Sequence, residues 1–399
     1  MHLNSKDSSR KYDSPSSMTI NVDPTQRAWI EIDGEAIKNN VRQIKSKLNP
    51  NCQFMAVVKA DGYGHDAIVV SKFAILGGAD QLGVATLQEG ISLRSNGINI
   101  PILVLGNIYT EKDLALCFEY NLMPTISNIK ECVICNGIGK KYKKSFSVHL
   151  KIDTGMSRLG FELNDFLVKF NQIKTFKNIN IDGIYSHLAC ADEENSLNDK
   201  SFTQLQKQRF NQILKQINFD SNHKIKVHLA NSAGTLLCQS FHFDMVRVGL
   251  SMYGYSPFLR MKNKFKLKPA LFLKAKVSFV RTIDKDTGVS YGRKFISRRK
   301  TKLAVLSIGY ADGISRKLSG NMVLLHGGLE YKQVGAITMD QLMVDITNSK
   351  DIKEGSVMIL LGTDGERSIL PSDWSDRCGS IPWEVLCSFK NRLPRLQIS

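Results

Sequence analysis

The segment AVVKADGYGHD (56 to 66) places Lys59 directly after the apolar run Ala56, Val57 and Val58 and before the turn residues Asp61 and Gly62. An amine at the mouth of a buried strand is partly desolvated, which lowers its pKa and lets it add to a carbonyl carbon as a Schiff base. Other apolar runs end in polar residues. KVHLANS (226 to 232) ends in Asn231 and Ser232, and MVRVGL (245 to 250) carries Arg247 inside an apolar strand, followed by Gly249 and Leu250. A hydroxyl and backbone N–H groups flanked by small residues suit a phosphate, so Ser232, Gly249 and Leu250 are candidates to hold one. Arg247 is costly inside a strand unless an acceptor meets it, such as a cofactor ring nitrogen. KIDTGMSRLGF (151 to 161) puts Arg158 in a loop, where a guanidinium can take a carboxylate through two hydrogen bonds.

Each residue has a plainer reading when taken singly. Lys59 fits a lysine snorkelling from a rim, Ser232 a helix cap, Gly249 a turn, Arg158 a solvated side chain and His187 a packed core histidine. Nothing around His187 has metal-ligand spacing, which argues against a metal role. Together they describe a site for a phosphorylated carbonyl compound, and pyridoxal phosphate is the common cofactor that demands such an amine.

These residues need elements that bring them to one face. From residue 53 to about 250, eight short apolar runs alternate with helix-compatible stretches: 54 to 59, 81 to 85, 102 to 106, 122 to 126, 146 to 153, 181 to 187, 226 to 230 and 245 to 249. That alternation predicts an α/β fold, a closed (β/α)₈ TIM-type barrel. The candidate site residues stand at strand ends, where barrels build active sites. The fourth strand is the weakest, because Pro124 interrupts it. After about residue 265 the runs are strand-like without long helical patterns between them, which predicts a mostly β C-terminal domain. The division is a tail over 1–26, a barrel over 27–265 and a β domain over 266–399. WIEID (29 to 33) fits a strand of either part, and KNKFKLK (262 to 268) alternates as a strand with one face in water.

Composition excludes several classes. The 399 residues contain 42% hydrophobic side chains, enough for sizeable cores, yet no apolar run approaches a membrane span. The leader lacks the apolar stretch of a secretory signal, so the chain is expected in the cytoplasm with its eight cysteines as thiols. Cys132 and Cys135 form one CxxC without a second pair for zinc, and packing is the better reading. A net charge of +17 permits a nucleic-acid partner, but the lysines are dispersed and no aromatic residues interleave with them as a stacking surface requires.

The segments AVVKADGYGH, KIDTGMSRLG, HLANSAG, VRVGLSMYG, GVSYGR, SIGYADG and AITMDQLMVD, in that order, resemble alanine racemase over about residues 27 to 396. The resemblance implies a pyridoxal-phosphate enzyme, a barrel plus a C-terminal β domain, that interconverts L- and D-alanine and supplies D-alanine for bacterial peptidoglycan. It implies that Lys59 holds the cofactor and is the base facing D-alanine, and that Tyr291 is the base facing L-alanine. It implies a homodimer with shared sites, in which Tyr291, Met339 and Asp340 reach the partner's site and Tyr310 lines the substrate entrance. Arg158 would orient tyrosine and substrate, Lys151 would carry a carbamate near it, and His187 would support Arg247. Tyr63, Ser232, Gly249 and Leu250 would hold the phosphate, with Asn231 beside them. Trp383 departs from the family pattern, which has a tyrosine whose hydroxyl reaches the phosphate. Indole donates from Nε1 but has no hydroxyl, so Trp383 counts as a wall residue.

Racemisation takes a proton from one face of Cα and delivers another to the opposite face, so two groups must flank a planar carbanion. Arg247 stays protonated and can only donate to a ring nitrogen, which weakens the electron sink. A decarboxylase of the same architecture is disfavoured by VSYG and TMDQLMVD, and a non-enzymatic barrel by the second domain. A racemase of another amino acid, or of several, remains open because one or two side chains change a small pocket.

Overall fold

The computed structural model describes residues 26–217, 225–258 and 266–398. The expected tail falls outside them except for Gln26, as does the expected alternating strand up to residue 265, and 266–268 belong to no strand.

Strand β1 (Ala28–Ile32) precedes eight parallel strands: β2 (Gln53–Val57), β3 (Gln81–Val84), β4 (Ile102–Asn107), β5 (Met123–Ile126), β6 (Phe146–Lys151), β7 (Ile179–Tyr185), β8 (Lys226–His228) and β9 (Met245–Val248). They pair in sequence and close through β2 and β9 into a barrel. Both faces of these strands are covered, the inner by barrel packing and the outer by helices, which is why they read as apolar runs. Pro124 is accommodated in β5 because its pairing with Val104 is followed by a register shift to Asn107 opposite Thr125, so the missing N–H falls at an irregularity.

Helix starts are fixed by side chains, and one cap serves the site directly. Thr86 accepts the N–H of Glu89 (3.2 Å) and Glu89 Oε2 accepts the N–H of Thr86 (3.2 Å) at the head of helix Leu87–Ser95. The other oxygen of Glu89 accepts the N–H of Ala60 at 2.7 Å, which ties the cap to the residue after Lys59.

The second unit is a nine-stranded sheet around β10 (Leu271–Ile283), whose burial alternates along its first half. Strand β1 joins this sheet, antiparallel to β10 and parallel to Arg395–Gln397, which settles the strand that the sequence left open. Over the described residues the chain therefore runs from the β sheet into the barrel and returns. Two short helices, Pro371–Cys378 and Pro382–Cys387, interrupt the β pattern, and neither was foreseen in the sequence. Among the described residues no helix is long and apolar enough to cross a membrane. Cys132 and Cys135 are fully buried on helix Ile129–Tyr142, where burial pushes both thiols up, Cys132 to about 12; they pack.

Candidate active site

The strand ends open into a cavity of about 750 Å³ at the C-terminal face of the barrel. Lys59, Tyr63, Lys151 and Arg158 line one part of it, and His187, Asn231, Ser232, Arg247, Gly249 and Leu250 the rest. The second domain contributes Ile381, Trp383 and Cys387 from helix Pro382–Cys387 and the residue before it.

Lys59 opens a turn of unusual handedness. Ala60, Asp61, Gly62 and Tyr63 have φ of 52°, 53°, 61° and 54°, a left-handed helical turn. Three of the four carry a Cβ, and each costs about 1–2 kcal/mol in that conformation. Such strain persists where surroundings over-determine it. Here Glu89 holds Ala60, Asp61 Oδ1 accepts the N–H of Ala67 at 2.9 Å, and Arg395 Nε donates to the carbonyl of Gly64 at 3.2 Å. Burial, and next the Arg158 charge, hold the Lys59 amine below its ordinary range.

The phosphate candidates form a cradle at the other side. Ser232 Oγ accepts the N–H of Gly249 at 2.9 Å, and Leu250 begins a short 3₁₀ turn. A Cβ built on Gly249 would lie 2.5 Å from Tyr63 Oη, so only glycine lets that hydroxyl sit against the turn. Asn231 caps helix Ser232–Leu237 by accepting the N–H of Gly234 at 3.0 Å.

Arg247 is 3% exposed and held from three directions. Its Nη2 donates to the carbonyls of Ser186 (2.7 Å) and Leu229 (2.9 Å) and to His187 Nδ1 (3.1 Å), and its Nη1 to His228 Nδ1 (2.8 Å). Its Nε has no partner among the described residues. Burial lowers Arg247 to about 10, so the guanidinium stays charged near neutral pH. Burial, then Arg247, hold His187 and His228 well below the usual imidazole range, in keeping with acceptor nitrogens facing a cation.

Sequence reasoning missed the layer beneath Arg247. His228 Nε2 lies 2.9 Å from His149 Nδ1, and the Tyr185 ring stacks on His228 at 4.6 Å, with the Arg247 guanidinium carbon 5.0 Å from the centroid of the same tyrosine ring. Tyr185 Oη meets Thr125 Oγ1 at 2.7 Å. The signal was legible: VHL occurs at both 148–150 and 227–229, placing a histidine inside an apolar strand, where a buried polar group needs a partner.

Lys151 is 5% exposed with its ammonium 5.6 Å from the Tyr185 ring centroid, and burial, with Arg158 and Arg247, lowers it to about 8. Lys59, Lys151, Arg158 and Arg247 thus share one cavity without an ion pair among the described residues. A concave site with that excess of positive charge is matched by an anionic ligand carrying phosphate and carboxylate groups. The cradle, the uncommitted guanidinium nitrogen and the central amine fit pyridoxal phosphate bound to an amino acid.

Tyr291, Tyr310, Met339 and Asp340 do not line this cavity. They lie on the second domain, with Tyr291 71%, Met339 52% and Tyr310 41% exposed. Three loops are locked together beneath them. Ser290 Oγ donates to the carbonyl of Ala336 at 2.7 Å, and the N–H groups of Tyr310 and Ala311 donate to the carbonyls of Thr338 and Met339, each at 3.0 Å.

Fold and site together define an enzyme of the pyridoxal-phosphate barrel class, with an amine at the strand ends and a candidate phosphate cradle in the same cavity. The family profiles for the alanine racemase N-terminal and C-terminal domains match residues 32–257 and 270–397. An alanine racemase from Prochlorococcus marinus is 53% identical over 383 residues, covering 96% of this chain and 99% of the relative. One from a Nostoc species is 44% identical over 376 residues, covering 94% and 96%. The solved structure of alanine racemase from Clostridium difficile 630 superposes with a TM-score of 0.86 at 33% identity, covering 93% of this chain and 95% of that one. That of Bartonella henselae alanine racemase, with covalently bound pyridoxal phosphate, gives 0.82 at 29% identity, covering 94% and 100%. The chain belongs to the alanine racemase family, pyridoxal-phosphate-dependent isomerases that interconvert L- and D-alanine.

Proposed function

We propose that this chain racemises alanine between two bases, Lys59 from one protomer and Tyr291 from its partner, in a homodimer with shared active sites. The observation that carries this reading is the division of the site residues: a cavity rich in cations holds the cofactor candidates, while Tyr291, Tyr310, Met339 and Asp340 stand together on an exposed surface of the second domain. A second copy brings that surface to the mouth of the cavity, and a two-fold arrangement completes both sites at once. When bound, pyridoxal phosphate supplies the carbonyl carbon that takes up the amine and a conjugated ring that spreads the charge left at Cα.

The chain's own residues do the rest. Ser232, Gly249, Leu250 and Tyr63 bind the phosphate, and Arg247, fixed by His187 and His228, offers Nε to the ring nitrogen without giving up its proton. Arg158 takes the substrate carboxylate. Lys59 moves the proton at one face of Cα, its amine held below the ordinary lysine range by burial and then by the Arg158 charge, and Tyr291 serves the opposite face. Lys151, whose lowered pKa leaves part of it neutral, is suited to take up carbon dioxide as a carbamate that would neutralise Arg158. The division into tail, barrel and β domain belongs to the same reading, except that 28–32, assigned to the barrel, pairs into the β domain's sheet, and the β domain delivers Tyr291 to the partner. A cytoplasmic enzyme supplying D-alanine for peptidoglycan follows from it.

The test co-expresses K59A and Y291F chains carrying different tags. Each homodimer should be inactive, whereas the hybrid contains one intact site. Incubation with L-alanine in heavy water should give D-alanine with deuterium at Cα; absence of activity in the purified hybrid rules out shared sites. Serine and lysine in the same assay define substrate breadth.

A further inference from the structure

The segment NRLPRLQ (391 to 397) sets two arginines three residues apart, with Leu393 buried between them. The buried leucine and the pairing of Arg395–Gln397 with β1 pin the segment, so the two guanidinium groups reach fixed places. They serve different places. Arg395 Nε donates to the carbonyl of Gly64, and its Nη1 to that of Leu393 at 3.0 Å, which braces the left-handed turn that begins at Lys59. Arg392 Nη2 donates to Asp340 Oδ1 at 2.8 Å, and its Nε lies 3.6 Å from Asp312 Oδ1.

Asp312 is fully buried, and its carboxylate takes Arg27 through both oxygens, at 2.6 and 3.1 Å, and the N–H of Gly309 at 3.0 Å. A buried carboxylate so paired is a fixed point, since breaking the pairing leaves an uncompensated charge. The loop it fixes, 309–313, is the one joined to Thr338 and Met339 through the N–H groups of Tyr310 and Ala311. Arg392 closes the arrangement by tying Asp340 to the same fixed point. Asp340 is exposed and has no other hydrogen bond to a side chain among the described residues, so its direction depends on Arg392.

We propose that this C-terminal strap positions two active sites at once: Arg395 acts in its own protomer on the Lys59 turn, and Arg392 acts on the partner's site by fixing Asp340 and Met339. The inference rests on the shared-site reading above. Neither arginine touches the reacting atoms; both are positioning residues. Misplacement of a substrate-contacting group by about 1 Å costs on the order of a hundredfold in rate, so a strap that fixes direction has a measurable effect.

The experiment uses the cofactor-loaded dimer. R392M should lower kcat/KM for alanine about tenfold or more, chiefly through KM, with cofactor affinity unchanged, because the contacts of Arg392 lie outside the cradle. R392K, which keeps the charge, should recover part of the loss. The decisive measurement is hybrid complementation. Co-expressed K59A and R392M chains form hybrids whose one Lys59-bearing site faces an unaltered Asp340 loop, so random pairing restores about a quarter of wild-type activity. K59A with R395M should restore none beyond the activity of R395M alone, because the altered turn carries the only Lys59. Wild-type kinetics in R392M would overturn the proposal. So would failure of K59A with R392M to recover while K59A with Y291F does. If neither pair recovers, the shared-site reading itself is what fails.

Discussion

Replacing Gly249 with alanine tests the phosphate cradle most directly. The added Cβ would stand 2.5 Å from Tyr63 Oη and 3.0 Å from Cζ. Ordinary contacts need roughly 3.5 Å, so the ring or the 249–250 backbone must retreat by about 1 Å. The ring has little room: Tyr63 is buried with its centroid 4.9 Å from that of Tyr253, and the backbone N–H of Gly249 is tied to Ser232. On the proposed reading, either retreat would remove at least one hydrogen bond to the phosphate dianion. A bond to a charged group is worth about 1.5–3 kcal/mol, which corresponds to a rise in cofactor Kd of about 10- to 100-fold. Fluorescence titration of the apoenzyme with pyridoxal phosphate measures it. Y63F removes the crowded oxygen, so the penalty of G249A should shrink in that background, a coupling that a double-mutant cycle reports. Cofactor affinity in G249A within twofold of wild type would refute the cradle.

Two further outcomes follow from the amines. K59A should carry no covalently held cofactor after borohydride reduction, read as the missing mass increment, and should retain less than about a thousandth of the activity; a surviving adduct would place the attachment elsewhere. Lys151 has a folded pKa near 8, below that of the unfolded chain. Between about pH 8 and 10.5 the unfolded chain binds more protons, so stability rises with pH across that window and the penalty is fully present below it. In buffer free of carbon dioxide K151M should therefore melt higher than wild type at pH 7, with the gap closing towards pH 10; a gap independent of pH would remove the charge explanation.

How much was legible varies with the range of the interaction. The eight barrel strands were readable because each is a short apolar run punctuated by turn residues, and Lys59, Ser232, Arg247 and Gly249 because they break such runs at the same end. The partners of Arg247 were harder. His149 and His228 sit in identical VHL triplets, but pairing them requires strands β6 and β8 to flank β7 in a closed barrel with both rings turned to meet, which spacing along the chain does not encode. The strand at 28–32 illustrates the same limit: its alternation fits either unit, and only its register against Leu271–Ala275 decides. The two C-terminal helices were missed because each has only six or eight residues, too few for a 3.6-residue period to stand out.

By itself the sequence pointed to the kind of chemistry: an amine at a strand end, candidates for a phosphate cradle, a cation inside a strand and a barrel to bring them to one rim. These are local properties of residue type, order and burial, and periodicity carries them. The tertiary structure decided which groups hold one another: Arg247 on His187 and His228, the strained turn after Lys59 on Glu89 and Arg395, and Asp340 on Arg392. Such contacts join residues tens to hundreds of positions apart, and their directions depend on packing at ångström scale, which no linear pattern specifies.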